Sequence, residues 1–506
     1  MSFADEKREH AHIDEKREDA HLEEIGKPEV IAEDRHLQLE LPASLAHLDE
    51  EEMKRLDKKI TQKIDFTLMP ILIILYVLNF LDRNNISTAK IGGMTIDLKM
   101  DTEQFGTALA VLFAGYVALQ IPSNMLASRI KWPGTYICVM CAIWGVISGC
   151  TGAVQSYSGL CVTRVLLGFA EAAFFPGALF LLSTFYTKQQ LAFRTGILYS
   201  GSQLGNAFGG LFAAAILTLD GAHHIAGWRW LFIVEGCMTV GLAAIFAFII
   251  PNRPSNFRWL TPIEHARLAY RLEADKGTRD GSDEMSNWEA FKLATTDPRA
   301  WMVCLALTLN FVASAVTNFF PVVVKTLGFD RTTSLAITAP PYILCIICIV
   351  INGWHSDKTQ ERAFHVIGPF CVTVLANVIA VATTNTGARY FAMMLMPASF
   401  YSAAIVLLSW ISTTVVGPSA KRAVALAMIN AVANTSNIWT SYLYFGEPRY
   451  VVAFSVNIAA SVALIVVVLL IRWYLVRQNK RLDRGEDLGV HGPTEVQREN
   501  GYRFKL

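Results

Sequence analysis

The feature that most limits what this chain can become is a series of apolar segments. Each is roughly the 20 residues that an α-helix needs to cross ~30 Å of hydrocarbon. They lie near residues 65–88, 104–127, 135–153, 158–186, 193–218, 227–250, 299–320, 333–354, 364–384, 389–415, 421–444 and 449–474. In hydrocarbon, backbone polar groups must be satisfied within the segment, so segments of this length read as helices. They divide six and six around one long polar stretch, which contains TPIEHARLAYRLEADKGTRDGSDEM and reads as a short amphipathic helix with a flexible remainder. The expectation is an all-α membrane protein of twelve transmembrane helices in two pseudo-symmetric six-helix halves. Its parts are a polar tail at 1–62, an N-terminal bundle at 63–250, the central loop at 251–298, a C-terminal bundle at 299–474 and a second tail at 475–506.

Composition agrees, with 53% hydrophobic and only 17% charged residues, and the net charge of +1 with scattered basic residues excludes a nucleic-acid partner. All nine cysteines fall in or beside apolar segments, which argues against a disulfide framework. Cys345 and Cys348 form a CxxC in YILCIICIVI with no His or acid nearby, so they read as packing residues. No metal cluster, cofactor motif, phosphate loop or Ser-His-Asp order stands in an accessible segment, and an enzyme is not expected.

The first 62 residues carry a near repeat, DEKREHAHI then DEKREDAHL, and lack a signal-peptide core, so the first crossing must direct insertion. Basic residues set its direction. With the N-terminus cytoplasmic, the inside loops hold Arg129, Lys131, Lys188, Arg194, Lys358, Arg362, Lys421 and Arg422, and RWYLVRQNKRLDR follows the last crossing. The outside loops hold fewer. The expected placement is multi-pass in the plasma membrane, with both termini cytoplasmic.

Four charges interrupt the apolar pattern. YVLNFLDRNNIS ends the first segment with Asp82 and Arg83, and RVLLGFAEAAFFPG puts Arg164 and Glu171 in the fourth. A charge at the centre of a membrane helix costs ~2.5 to 3.5 kcal/mol even on the lenient insertion scale, on the order of 10 kcal/mol for all four facing lipid. They must face an aqueous cavity instead. Arg164 and Glu171 share a helix face, within about 20° of each other, but two turns separate them by ~10.5 Å. That is too far for a direct pair, so each needs a partner across the bundle.

The loop after the eighth crossing reads GWHSDKTQER. Its Gly353, Asp357, Lys358 and Arg362 resemble the cytoplasmic signature of the major facilitator superfamily, in which glycine allows close helix approach and the charges gate the inner mouth. The matching loop after the second crossing, NMLASRIKWPG, is degenerate: Asn124, Ser128 and Arg129 stand where Gly353, Asp357 and Lys358 do. FLDRNNIS, YVALQIPSNML, RVLLGFAEAAFFPG, GWRWLFIVEG and RWLTPIEHARL narrow the likeness. Together they resemble the anion:cation symporter family, especially its fungal allantoate, nicotinate and pantothenate permeases, over about residues 60–475.

That resemblance implies proton-coupled uptake of a small organic anion by alternating access. Arg83 would hold a substrate carboxylate, Asp82 and Glu171 would bind protons, and Arg164 would modulate Glu171 or bind substrate. Tyr116 and Gln203 are wall candidates in the first half, and Trp410, Asn430 and Asn434 in the second. Arg83 suits a carboxylate because a guanidinium stays charged and offers paired donors. The expected partners are the anion, protons and the lipid bilayer, and the expected state is a monomer. Alternatives are an exporter of an organic acid or secondary metabolite on the same fold, and a nutrient receptor. Arg229 and Glu235 read as a structural helix anchor, and Gly196, Gly201, Gly205, Gly209 and Gly210 as close packing on the fifth crossing.

Overall fold

The computed structural model describes residues 42, 44–276, 286–416, 419–493 and 501–506, and among these all regular structure is helical. The first crossing is α1, Glu50–Ile91, which begins inside the stretch expected as a tail because Asp49 and Glu52 form a capping box there. α2, Thr102–Arg129, starts on a second capping box, Asp101 with Gln104. α3, Pro133–Thr151, starts on a proline, whose missing N–H is harmless in a first turn. The fourth crossing is two pieces, α4 (Tyr157–Glu171) and α5 (Phe174–Phe185). Pro176 explains the break: it has no N–H to give Ala172, and its ring crowds that carbonyl. Glu171 is thereby left at the end of α4. α6 (Lys188–Ile216) and α7 (Gly227–Ile249) complete the first half.

Two shorter helices follow, α8 (Pro262–Lys276) and α9 (Asn287–Thr295). α8 is tied to the start of α1. The Lys63 ammonium donates to both Glu264 oxygens at 2.9 and 2.7 Å, and the Arg267 guanidinium donates to both Asp57 oxygens at 3.0 and 2.8 Å.

The second half is built from α10 (Pro298–Ala313), α11 (Phe320–Lys325), α12 (Arg331–Ala336), α13 (Ala339–Thr359), α14 (Ala363–Ala382), α15 (Thr386–Thr414), α16 (Ser419–Asn434), α17 (Ser436–Thr440) and α18 (Val451–Asp483). Prolines again mark the breaks, with Pro321 at the head of α11 and Pro340 with Pro341 at the head of α13. Eleven spans are long and apolar enough to cross a membrane. The remaining crossing is α16 with α17, where Lys421, Asn430, Asn434 and Asn437 dilute the apolar content. Lys421 is buried against Asp297 at 2.7 Å, which caps α10.

Both described chain ends and the central helices lie at one end of the bundle, the tail end. The halves meet at the opposite, far end. There Lys90 faces Glu447 at 3.7 Å, Tyr442 donates to Thr107 at 3.1 Å, and Arg331 reaches Asp220 at 3.4 Å and the Leu217 carbonyl at 3.1 Å. The Ser87 hydroxyl also donates to the Asn318 carbonyl. A Cβ on Gly210 of α6 would run into Thr338 and the Leu335 carbonyl of the other half, and one on Gly106 would lie 2.9 Å from the Ser441 carbonyl. The far end is closed.

Of the glycines read as close packing, Gly205 and Gly210 fill that role, whereas a Cβ at Gly196 would meet nothing within 4 Å. A similar crossing joins α3 to α7: a Cβ on Gly236 would sit 2.6 Å from both the Gly145 carbonyl and the Gly149 nitrogen. Backbone cannot move aside as a side-chain tip can. Gly236→Ala should therefore destabilise by about 1–3 kcal/mol through overpacking, whereas Gly241→Ala, on the same helix with nothing within 4 Å, should be neutral or slightly stabilising. Thermal unfolding of the two purified variants checks the contrast, and equal midpoints would refute the close crossing.

Candidate substrate and proton site

The four intramembrane charges converge between α1, α3 and α4. Arg83 donates from Nε to Glu171 Oε2 at 2.6 Å, so the acid finds its partner on another helix, as the two-turn spacing from Arg164 requires. The Arg83 guanidinium also lies 4.6 Å from the Tyr116 ring centre and 5.6 Å from that of Phe80, two cation–π contacts that hold its orientation. Asp82, next along α1, turns to α3 and accepts from the Ser148 hydroxyl at 2.5 Å. Asp82, Arg164 and Glu171 are each about 1% exposed. Gly168 makes the assembly possible: a Cβ there would strike the Leu112 carbonyl of α2, and Tyr116 is on the next turn of that helix.

Arg164 differs from the rest. Although it lies within electrostatic range of Glu171 and Asp82, none of its three guanidinium nitrogens has a hydrogen-bond partner among the described residues. The second oxygens of Asp82 and Glu171 are likewise unpartnered. Arg164 and Arg83 line one cleft, with Leu109, Leu112, Phe113 and Asn318. Asn318 comes from the other half and donates to Asn437 of α17 at 3.3 Å. The cleft thus has two cationic groups on one side and amides on the other.

Gln203 is wholly buried at the interface between the halves. It holds Ser202 at 3.1 Å and accepts from Asn206 at 3.4 Å, with the Cys345 thiol at 3.8 Å across the interface between the halves. Cys345 therefore packs against a polar neighbour, and all described cysteines are free thiols. Asn206 also accepts from Asn84 at 2.6 Å.

The second-half candidates fall elsewhere. Trp410 is buried, but its indole N–H donates to the Lys505 carbonyl at 2.9 Å, because residues 501–506 pack back over the tail end. Tyr502 donates to the Thr413 carbonyl at 2.6 Å there, and Asn479 exchanges two 2.9 Å bonds with the Phe504 backbone. Asn430 and Asn434 bond along α16, with the Asn434 amide 2.8 Å from the Asn430 carbonyl. Asn318 and Asn437 connect to the arginine cleft, and of the three candidates Asn434 joins them through its backbone carbonyl, which accepts from the Asn437 amide at 3.4 Å.

At the tail end, Arg362 donates to Asp357 at 2.6 Å and to Ser356 at 3.0 Å, and Lys358 lies 5.1 Å from the Trp354 ring centre. A Cβ at Gly353 would meet nothing within 4 Å, so its expected role in close helix approach is not what this arrangement uses. The side chains of Asn124, Ser128 and Arg129 lie outside the described residues. The first half has a different lock, which the loop pattern did not reveal. Arg194 grips Asp65 with two bonds of 2.7 Å, and Tyr186 donates to the same acid at 2.6 Å. Sequence reading also missed Ser148, Asn318 and Asn437, since small polar residues in apolar runs carry no pairing signal.

Among the described residues no group of His, Cys, Asp or Glu is arranged to hold a metal. The architecture is that of a carrier rather than an anchor, and the comparisons agree. Residues 72–441 match the Major Facilitator Superfamily. An uncharacterized transporter of Schizosaccharomyces pombe is 30% identical, across 85% of this chain and 87% of its own. The high-affinity nicotinic acid transporter of Saccharomyces cerevisiae is 27% identical, across 87% of this chain and 83% of its own. In three dimensions, a bacterial homolog of the human lysosomal transporter Spinster superposes with a TM-score of 0.61 at 18% identity, covering 80% of this chain and 94% of that one. The chain belongs to the major facilitator superfamily of membrane transporters, on the side of it that resembles the nicotinate-type permeases.

Proposed function

We propose that the protein imports a small organic anion together with protons, exchanging access to the Arg83–Arg164 cleft between the two membrane faces. The observation that carries this reading is Arg164, a buried guanidinium none of whose nitrogens has a hydrogen-bond partner among the described residues. Glu171 and Asp82 lie in electrostatic range of it, but buried donors left unbonded are costly, and a carboxylate entering the cleft would satisfy them with paired, charge-assisted bonds. Nicotinate is a reasonable first substrate to try, given the yeast relative, and pantothenate, allantoate and short dicarboxylates belong in the same panel.

The proton enters through competition for Arg83. While Glu171 is ionised it occupies that guanidinium at 2.6 Å. Protonation of Glu171 removes the attraction and frees Arg83 to join Arg164 on the substrate carboxylate. Asp82 acts beside it, with Ser148 as its donor. Proton loading thus precedes or accompanies anion binding, and release of the proton restores the Arg83–Glu171 pair and expels the anion. More than one proton per monoanion makes each cycle electrogenic, and an inside-negative potential then favours uptake by ~2.3 kcal/mol per net charge per 100 mV. With the tail end cytoplasmic, as the basic loops indicate, the closed far end faces outward. We assign the protein to the plasma membrane as a monomer.

Uptake of labelled substrate into cells lacking their own carriers tests the coupling. Accumulation should collapse when a protonophore is added, and an accumulation indifferent to it would refute proton symport. Glu171→Gln should lose uphill accumulation while keeping exchange of internal for external substrate, whereas equal loss of both would remove its coupling role. Replacing Arg164 with Gln should raise the half-saturating concentration at least about tenfold, the loss of one charged hydrogen bond of ~1.5–3 kcal/mol. Arg83→Lys should also weaken binding, because an ammonium cannot keep the paired geometry.

A further inference from the structure

The buried charges of the first half do not balance. α1, α4 and α7 bring together three carboxyl groups, Asp82, Glu171 and Glu235, each about 1% exposed. Two guanidiniums, those of Arg83 and Arg164, stand against them. Glu171 has Arg83 at 2.6 Å, and Arg164 lies in electrostatic range of both Glu171 and Asp82. Among the described residues nothing of the kind faces Glu235. One of its oxygens accepts from the Asn85 amide, the other has no partner among them, and the ionisable group facing it is Asp82, another acid.

Among the described residues, the elements packed against α7 supply no cation to Glu235. On α1, Arg83 points to Glu171. On α3, Ser148 is given to Asp82, and the titratable Cys141 lies beside Asp82 and Glu171. Arg194 of α6 is held at the tail end by Asp65. On α7 itself, Arg229 donates to the Gly152 carbonyl at 2.7 Å. An isolated ionised carboxylate in such surroundings would carry a large desolvation cost, and a protonated one avoids it.

We infer that Glu235 is a third proton-binding residue of the translocation site, carrying on its unpartnered oxygen the proton that neutralises the cluster and exchanging it with Asp82. The exchange balances simply: the Glu235 carboxyl gives its proton to the Asp82 carboxylate, and the total charge of the pair is unchanged. Asn85 makes the exchange consequential. It lies on the same helix as Asp82 and Arg83, so ionisation of Glu235 strengthens its hold on the turn of α1 that carries the substrate-binding arginine. This goes beyond a helix-anchoring role for Glu235 and rests on the proton-coupled reading above.

Infrared difference spectra of the purified full-length protein, recorded between acid and alkaline pH without substrate, test the assignment. The wild type should show the C=O stretch of a protonated buried carboxyl that fades as pH rises, and Glu235→Gln should lose that band. Asp82→Asn should move its midpoint to lower pH, because removing the neighbouring negative charge makes Glu235 easier to ionise. Where Glu235→Gln fails to fold, Glu235→Asp should retain the band at a shifted position. A band unchanged in Glu235→Gln places the proton elsewhere and overturns the proposal, and so does a Glu235 band that does not titrate. Because no substrate is used, this result is independent of the protonophore experiment, in which proton symport itself can fail.

Discussion

The structure depends on one ion pair in a place where ions are expensive. Arg83 and Glu171 meet at 2.6 Å between the first and fourth crossings. Breaking a buried pair by removing one partner commonly costs ~3–5 kcal/mol, since the other charge is left behind. The pair therefore acts as a structural joint between α1 and α4, and in the proposed mechanism it is also what a proton or a competing anion disturbs. Arg164 has no such joint among the described residues, and on the same proposal it gives the competitor its foothold. Stability and chemistry at this site are two descriptions of the same electrostatics.

Proline places the other parts. The break between α4 and α5 puts Glu171 at a helix end, and the break between α10 and α11 puts Asn318 into a short 3-10 helix, Ala315–Phe319, where it lines the cleft with the arginines. A helix continued through either point would present the same side chains at other angles. Backbone that departs from the α-helix at membrane depth is tolerated where protein or a cavity surrounds it, and the second break lies at the interface of the halves, where the Asn318 carbonyl accepts from Ser87.

Much of this was legible in the sequence. Length and hydropathy give the crossings, the seven-residue spacing forbids an Arg164–Glu171 contact, and a cost argument requires all four charges to turn inward. What was not legible has physical causes. The eleventh crossing is read at 421–444 despite Lys421 and three asparagines, but the burial of Lys421 is intelligible only once Asp297 is beside it. Asp65 and Arg194 are 129 residues apart, and nothing local announces their meeting. Trp410 reads as a wall residue until the segment at 501–506 folds back over it. Glu235 resembles a helix-end anchor in one dimension and is an unneutralised acid in three.

Gly210 has a consequence for how the molecule divides its time. Its missing side chain is what lets α6 lie against Thr338 and Leu335 when the far end is shut. A carrier has to open that end at some stage, and the space beside α6 then widens. A bulky residue at 210 would be tolerated in one arrangement and excluded from the other, as a wedge keeps a door ajar. On the alternating-access proposal, the balance between the two faces of the carrier depends in part on this one absent methyl group.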